Sequence, residues 1–498
     1  MKDSARAAAP AADSPSRRVV LFSSISYANE RPSGAAKSNL SQIDTLMSQG
    51  HSCLLICRLT ATRQHRDAAI ERLRRGGVEV TCREYPLIFF DSFHHGEVPV
   101  HAFTLKGFFE WPLAKRLRFP WYWNRKGSPF PKVLAHHRKS FAALLGIVWR
   151  ASGKLLERLR LLGPWLASFL MEPVMQESLE PLETILRDFE PDAVYFDGSL
   201  ELLQLAHVLR ERALPAGCET YAIFTAGFAM SFGPSAFCSA EQSFLETSHV
   251  SELYRSMSGF VTPSRFLGEY LVKSSGLDLR YTVVHPRFEP LEPHQERARE
   301  PDRGFVTLIN ASSIKGMPIF LELAQRLPDV AFAVVVTWGK LQRDDQQKLD
   351  ELPNVQVLKP LSPVEPIYDL TRVLLVPSLW EDPFPRVVNE AMQRGIPVIA
   401  SDRGGIPEAK HGVPYVLPVN PYRRALDYDN PAPRQDVEPW LEALQRLLED
   451  PAHYQEISAA SREAARAFIE TQQERSIADA WHNIRPADSP PTPLKARS

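Results

Sequence analysis

Arg18-Val-Val-Leu-Phe-Ser-Ser24, the loop around Pro32-Ser-Gly34, the amphipathic stretch Ser38 to Gly50 and the apolar run Ser52 to Arg58 decide the fold of the first half. Both short runs are nearly continuous in apolar residues, where a sheet with one wet face would alternate. The stretch between them is long enough for a helix. Strand, loop, helix and strand in that order make a parallel βαβ unit, because parallel strands need a crossover that covers the sheet. The chain therefore opens as a Rossmann-like sheet, with further strands expected at Val78–Tyr85, Ala193–Phe196, Thr220–Phe224, Gly259–Thr262 and Tyr281–Val284.

The regularity is interrupted between roughly 86 and 190. There, residues 103–130 interleave aromatics such as Phe108, Trp111, Trp121 and Trp123 with Lys106, Arg116, Arg118 and Arg125. That pattern suits an insertion whose aromatics pack while its charges stay solvated; its other uses are binding an acceptor and peripheral contact with a membrane surface. Pro286 to Arg303 is rich in Pro, Glu and Arg and reads as a linker. A second alternating series starts at Phe305-Val-Thr-Leu-Ile309. It continues with a helix near Pro318–Arg326, strands at Ala331–Val336, Val355–Leu358 and Val373–Val376, a helix near Arg386–Arg394 and a strand at Pro397–Ala400. The expected organisation is a lead at 1–17, an N-terminal Rossmann-like domain at 18–285, a linker at 286–302, a C-terminal Rossmann-like domain with closing helices at 303–482 and a tail at 483–498.

The chain has 498 residues, 44% of them hydrophobic and 23% charged, so it can bury more than one core. Its net charge of -1 gives no global field for nucleic acid, so no nucleic-acid partner is expected and an anionic ligand must be met by local charge. Residues 1–17 lack the apolar block of a signal peptide, and no apolar run is long enough to span a bilayer; a cytoplasmic location is expected. Cys53 and Cys57, spaced to share one face of a strand, read as core thiols. The histidines show no zinc spacing, and Asp427-Tyr-Asp429 lies in a Pro/Asn-rich loop, so no metal site is expected.

Doubly wound sheets bind ligands beyond the C-terminal ends of their strands, and a phosphate-bearing ligand there needs Gly turns and cations. Three segments of the second series fit. Asn310-Ala-Ser-Ser-Ile-Lys315-Gly316 follows a strand, and Ser401-Asp-Arg-Gly404-Gly405-Ile-Pro-Glu408 follows another. Between them stands Pro377-Ser-Leu-Trp-Glu381-Asp382-Pro-Phe384-Pro385-Arg386-Val387-Val-Asn-Glu390-Ala-Met. Pro385 suits a helix start. Asp382 at the helix mouth and Glu390 more than a turn inside can contact two parts of an extended ligand; as ordinary residues they would be a dipole partner and a solvated acid.

Residues 377–408 resemble the donor-binding signature of the family-four retaining glycosyltransferases, the glycosyl transferases of group 1. The resemblance implies an α/β fold of two facing, doubly wound Rossmann-like domains, the glycosyltransferase-B architecture. It implies transfer of a sugar from a nucleoside diphosphate sugar to an acceptor hydroxyl with retention, without cofactor or metal. The partners are then the nucleotide-sugar donor and an acceptor that is a small molecule, a lipid-linked species or a glycan. It places Glu390 on the nucleotide ribose, Asp382 near the transferred sugar and Lys315 on the diphosphate. Gly34, Gly316, Phe384, Pro385, Arg386, Val387, Gly404 and Gly405 complete the donor side. Asp197, Phe232 and Gly233 are candidates for the acceptor side, with ordinary loop duty as their other reading. Three positions depart from the pattern: Asp382 stands for a glutamate, no cation occurs in 310–313, and Pro385 replaces a glycine and so lacks an N–H. A non-catalytic nucleotide-sugar-binding subunit and a same-fold nucleotide-sugar epimerase are the competing readings.

Overall fold

The computed structural model describes residues 16–26, 34–59, 63–85, 88–105, 179–225, 227, 230–236, 247–292, 302–336, 343–361, 364–424, 431–472 and 477. In its first half the strands are β1 Arg18–Ser26, β2 Ser52–Arg58, β3 Thr81–Glu84, β4 Ile88–His95, β5 Val98–Leu105, β6 Ala193–Asp197, β7 Glu219–Ile223, β8 Gly259–Thr262 and β9 Tyr281–Val283. Among the described residues they form one sheet in the order β3-β4-β5-β2-β1-β6-β7-β8-β9. β1 lies between β2 and β6 and is parallel to both, Val19 pairing with Cys53 on one side and Ala193 on the other. Val19 to Phe22 are all buried, as their unbroken apolar run requires. Helix Gly34–Ser48 makes the β1 to β2 crossover. Cys53 and Cys57 are free and buried on β2. Burial pushes the Cys53 thiol up to about 12 and Cys57 further, so both are inert core groups.

The sheet corrects two sequence expectations. The run Val78–Tyr85 is no further parallel unit: it contains β3, an exposed edge strand antiparallel to β4. The sheet also continues past residue 86, because β4 and β5 form an antiparallel hairpin and β5 runs parallel to β2. Its key is Asp91, wholly buried in β4 and held by Arg66 from helix Arg63–Arg75 through bonds of 2.7 and 2.5 Å. The remaining aromatic and basic residues of 106–130, and Asp427-Tyr-Asp429, lie outside the described residues.

The second sheet contains β10 Phe305–Ile309, β11 Phe332–Val335, β12 Val355–Leu358, β13 Thr371–Val376, β14 Val398–Ser401 and β15 Val416–Leu417. Its order is β12-β11-β10-β13-β14-β15, with every neighbouring pair parallel. Counted from β10, that is the doubly wound order 3-2-1-4-5-6, in which chain direction across the sheet reverses between the first and fourth strands. Val306, Leu308, Phe320, Phe332, Leu374 and Ile399 form its core, closed by Trp440, Leu444, Tyr454 and Ile457. These last four belong to helices Glu438–Glu449 and Pro451–Gln472. The final helix is described through Gln472, and residues 478–482 of the expected closing helices lie outside the described residues.

By compactness the chain divides into two units. The described residues up to Ile223, those of 240–260 and Ile477 belong to the first, and residues 224–239 and Val261–Arg475 to the second. Among the described residues, no helix is long and apolar enough to cross a membrane.

Candidate functional site

The reversal between β10 and β13 puts the loops after these two strands side by side, and both belong to the second unit. After β10, Asn310 takes a left-handed conformation (φ 66°), which asparagine tolerates better than most residues, and a single 3-10 turn, Ser313–Lys315, follows. Gly316 ends that turn at φ 87°, and any side chain there would collide with the carbonyl of Pro377. Glycine is thus what lets the β10 loop lie against the β13 loop.

Across this contact the Lys315 ammonium donates to Oδ2 of Asp382 and lies 4.9 Å from the centre of the Trp380 ring. The two charged side chains are only 12% and 9% exposed, so their attraction is screened much less than that of a surface pair. The turn after β14 completes the enclosure. Gly404 (φ 60°) and Gly405 pack on the backbone of Asp382 and Pro383, and the Gly405 N–H donates to the Asp382 carbonyl at 2.7 Å. A Cβ on either glycine would strike that backbone.

Glu381, one residue before Asp382, has its own partners. It accepts from Arg403 Nη2 at 3.1 Å and from the Ser235 hydroxyl. Ser235 belongs to the turn containing Phe232 and Gly233, and its N–H donates to the Tyr270 hydroxyl at 2.8 Å. Gly233 (φ 83°) sits so close to Tyr270 and Ser274 that no side chain fits.

Helix Arg386–Met392 begins after Pro385, which is its N-cap residue and not its first helical one; the Pro385 carbonyl accepts from Val388 N at 3.1 Å. Glu390 lies in the next turn. Its carboxylate accepts from the Tyr368 hydroxyl at 2.7 Å and pairs with Arg386 Nε at 3.3 Å. Burial first, and then the Glu390 charge, hold the Tyr368 phenol well above its ordinary range, so it stays a donor. Arg386 also donates to the Arg287 carbonyl at 2.9 Å and covers the Phe288 ring at 4.5 Å.

Phe384 points into an aromatic cluster, 5.1 Å from the His285 ring and 5.8 Å from Phe468. Glu408 bonds His285 Nε2 at 2.7 Å and accepts from Arg265 N at 2.9 Å. Behind it, burial aided by His285 pulls His411 down to about 4, and burial pulls Lys410 down to about 7 while its ammonium donates to the Val398 carbonyl at 2.6 Å.

Of the residues singled out in the sequence, Lys315, Gly316, Asp382, Gly404 and Gly405 meet at one place. Glu390 and Arg386 follow on the adjoining helix, where Val387 packs half-buried against the core. Phe384 is a packing residue of the same loop. Phe232 and Gly233 belong to the turn that touches Glu381 through Ser235. Gly34 opens the helix after β1 and Asp197 ends β6, both in the first unit. Sequence reasoning missed Ser235, Tyr368 and Arg403 as members of this network. For Arg403 the signal was present, since it directly precedes the two glycines.

Residues 300–450 match the family model described as glycosyl transferases group 1. Spore coat protein SA of Bacillus subtilis (strain 168) is 29% identical over 158 residues, 27% of this chain and 40% of that protein. The chain thus spans about 40% of the length of this curated relative. The solved structure of sucrose-phosphate synthase from Thermosynechococcus elongatus is similar with a TM-score of 0.57 at 14% identity, over 94% of this chain and 98% of that one. Anabaena HepE in complex with UDP-glucose gives 0.55 at 16% identity, over 93% and 99%. At these identities the structures establish the fold, an α/β chain of two Rossmann-like domains with the glycosyltransferase-B architecture. The group 1 resemblance read from 377–408 is shown over residues 300–450.

Proposed function

We propose that the protein is a glycosyltransferase that moves a sugar from a nucleoside diphosphate sugar to an acceptor hydroxyl, with retention at the anomeric carbon. The observation that carries this reading is the meeting of Lys315, Asp382 and the Gly316, Gly404 and Gly405 turns at the reversal point of the second sheet. Doubly wound sheets bind ligands at that point, and glycine turns let backbone come close to a diphosphate. HepE is described with UDP-glucose, which makes a uridine diphosphate sugar the first donor to try.

In the reaction the bond between the anomeric carbon and the diphosphate oxygen breaks, and its electron pair leaves with the nucleoside diphosphate. The acceptor oxygen bonds to the same carbon on the same face, and its proton passes to the departing phosphate oxygen. Lys315 exchanges Asp382 for the diphosphate and stabilises the charge growing there, while the released Asp382 carboxylate faces the sugar. Glu390, preset by Tyr368 and Arg386, keeps lone pairs for the ribose hydroxyls. With the counter-charge supplied by a side chain, the reaction proceeds without a metal. The acceptor is a small molecule, a lipid-linked species or a glycan, reached from the cytoplasmic side, with residues 103–130 giving peripheral contact where the acceptor lies at a membrane.

The test is a thermal-shift panel of nucleotide sugars, followed by product analysis with the donor that binds. A donor at 100 times its dissociation constant adds about 2.7 kcal/mol of stability. The expected result is release of nucleoside diphosphate in chelator, with an acceptor-bound sugar of unchanged anomeric configuration. Binding without transfer or slow hydrolysis identifies a binding subunit, inversion removes the retaining mechanism, and a strict need for magnesium or manganese removes the metal-free one.

A further inference from the structure

Two successive acids, Glu381 and Asp382, each hold a cation delivered by a different glycine turn. Asp382 holds Lys315, followed by Gly316, and Glu381 holds Arg403, followed by Gly404 and Gly405. The turns carrying both cations are pressed onto the single segment 377–383, because Gly316 abuts Pro377 while Gly404 and Gly405 abut residues 381–383. The four charges therefore balance in pairs along one short stretch of backbone. A diphosphate brings more negative charge than one ammonium neutralises, and 310–313 adds no second cation.

Arg403 has the chemistry to answer that charge. Its planar guanidinium matches two phosphate oxygens at once. Its Nη2 is engaged by Glu381, while its Nε is buried without a hydrogen-bond partner among the described residues. A buried donor left unmet is costly and calls for an acceptor. Releasing Arg403 does not strand Glu381, because the Ser235 hydroxyl already donates to its other oxygen. The Glu381 carboxylate thus keeps one donor when its cation leaves.

We propose that Arg403 is the second cation of the diphosphate site, handed from Glu381 to the ligand on binding while Ser235 retains Glu381. The inference rests on the glycosyl-donor reading above and names the residue that neutralises the second phosphate. Arg403 and Lys315 then act as a pair released together from neighbouring acids, one by each half of the diphosphate.

Calorimetry with UDP, GDP, ADP and CDP on the wild-type protein comes first. Absence of binding to all four overturns the donor reading, and this inference with it, before any variant is made. With the diphosphate that binds best and its parent nucleoside, Arg403→Gln should lose ten- to a hundredfold in diphosphate affinity and less than threefold for the nucleoside. Arg403→Lys should recover part of the loss, since it restores charge without the fork. Glu381→Gln, which weakens the hold on Arg403, should bind the diphosphate several-fold more tightly. Melting temperatures confirm that each variant is folded. Unchanged diphosphate affinity in Arg403→Gln, equal losses for diphosphate and nucleoside, or weaker diphosphate binding in a folded Glu381→Gln overturns the assignment.

Discussion

Two ion pairs in this molecule, Arg66–Asp91 in the first unit and Lys315–Asp382 in the second, each set a cation over an aromatic ring, Phe89 or Trp380, and against an aspartate. They differ in how the charge is gripped. Arg66 closes on both oxygens of Asp91, which is wholly buried inside a strand. Lys315 offers a compact ammonium on a flexible stem to an aspartate in a loop walled by glycines. A forked pair inside a sheet fixes one geometry. A point charge in a loop can change partner, so the first pair has the geometry of a folding contact, and the second has the geometry that the proposed donor binding requires.

The largest effect that could break this contrast is in the first unit. Asp91→Ala leaves the buried Arg66 charge with only the exposed Asp67 carboxylate and should cost about 3–5 kcal/mol, read as a lower urea midpoint. Donor affinity per folded molecule should not change. Replacing both residues, as Arg66→Met with Asp91→Leu, should recover most of that stability, because a buried pair is often no better than apolar packing of similar volume. A donor-binding defect in the folded double variant would erase the division of labour.

Lys315→Ala is the mirror experiment. Stability should fall too, because the buried Asp382 carboxylate loses its cation, though by less than in Asp91→Ala since Asp382 stands in a loop and not inside a strand; affinity per folded molecule for a nucleoside diphosphate should fall on the order of a hundredfold, about 2.7 kcal/mol. Nucleoside affinity should hold, and equal losses for both ligands would assign Lys315 to structure.

Glu390 lies between the two extremes, because its partner Tyr368 is fully buried. Glu390→Ala should weaken donor binding by roughly tenfold to a hundredfold and also lower stability by about 1–3 kcal/mol, since the Tyr368 hydroxyl loses its acceptor. Glu390→Gln keeps an acceptor for Tyr368 and should restore most of the stability but less of the binding. Equal recovery of both would show that the carboxylate charge has no part in holding the ligand.

The smallest effect belongs to Pro385. Its φ of −73° is one proline adopts without strain, so Pro385→Gly should lower stability by about 0.4–1 kcal/mol through the unfolded chain. The restored N–H should tighten donor binding if the proline only removes a contact. If the proline shapes the sugar pocket, binding should weaken and tolerance of other sugars should rise. A lower melting point with an unchanged donor profile would make it a helix-start residue alone.

The same contrast explains what the sequence disclosed. The parallel strands were legible because burial on both faces writes an unbroken apolar run, as in Val19–Phe22 and Val373–Val376. The β4–β5 hairpin was not. Asp91 interrupts the apolar run of β4, and its partner Arg66 stands 25 residues earlier in a helix that reads as plainly polar. Pro99 is disfavoured in a central strand, but it pairs only with His94, and the β2 ladder begins one residue later at Val100, where an N–H is needed. In the candidate site, Lys315, Asp382, Glu390 and the glycines were legible because they cluster in short motifs. Ser235 was not, since its partner Glu381 is 146 residues away and a lone serine in a turn carries no signal.

One contact sets a timetable for the newborn chain. The buried Tyr195 hydroxyl donates to the carbonyl of Ile477, 282 residues further on, and Ile477 N donates to the Gln42 side chain. At synthesis rates of about 5–20 residues per second, Tyr195 waits roughly 14–56 s before its acceptor is even made. The sheet that begins first is therefore finished last: the ribosome must deliver nearly the whole second half before the opening strands receive their final hydrogen bonds.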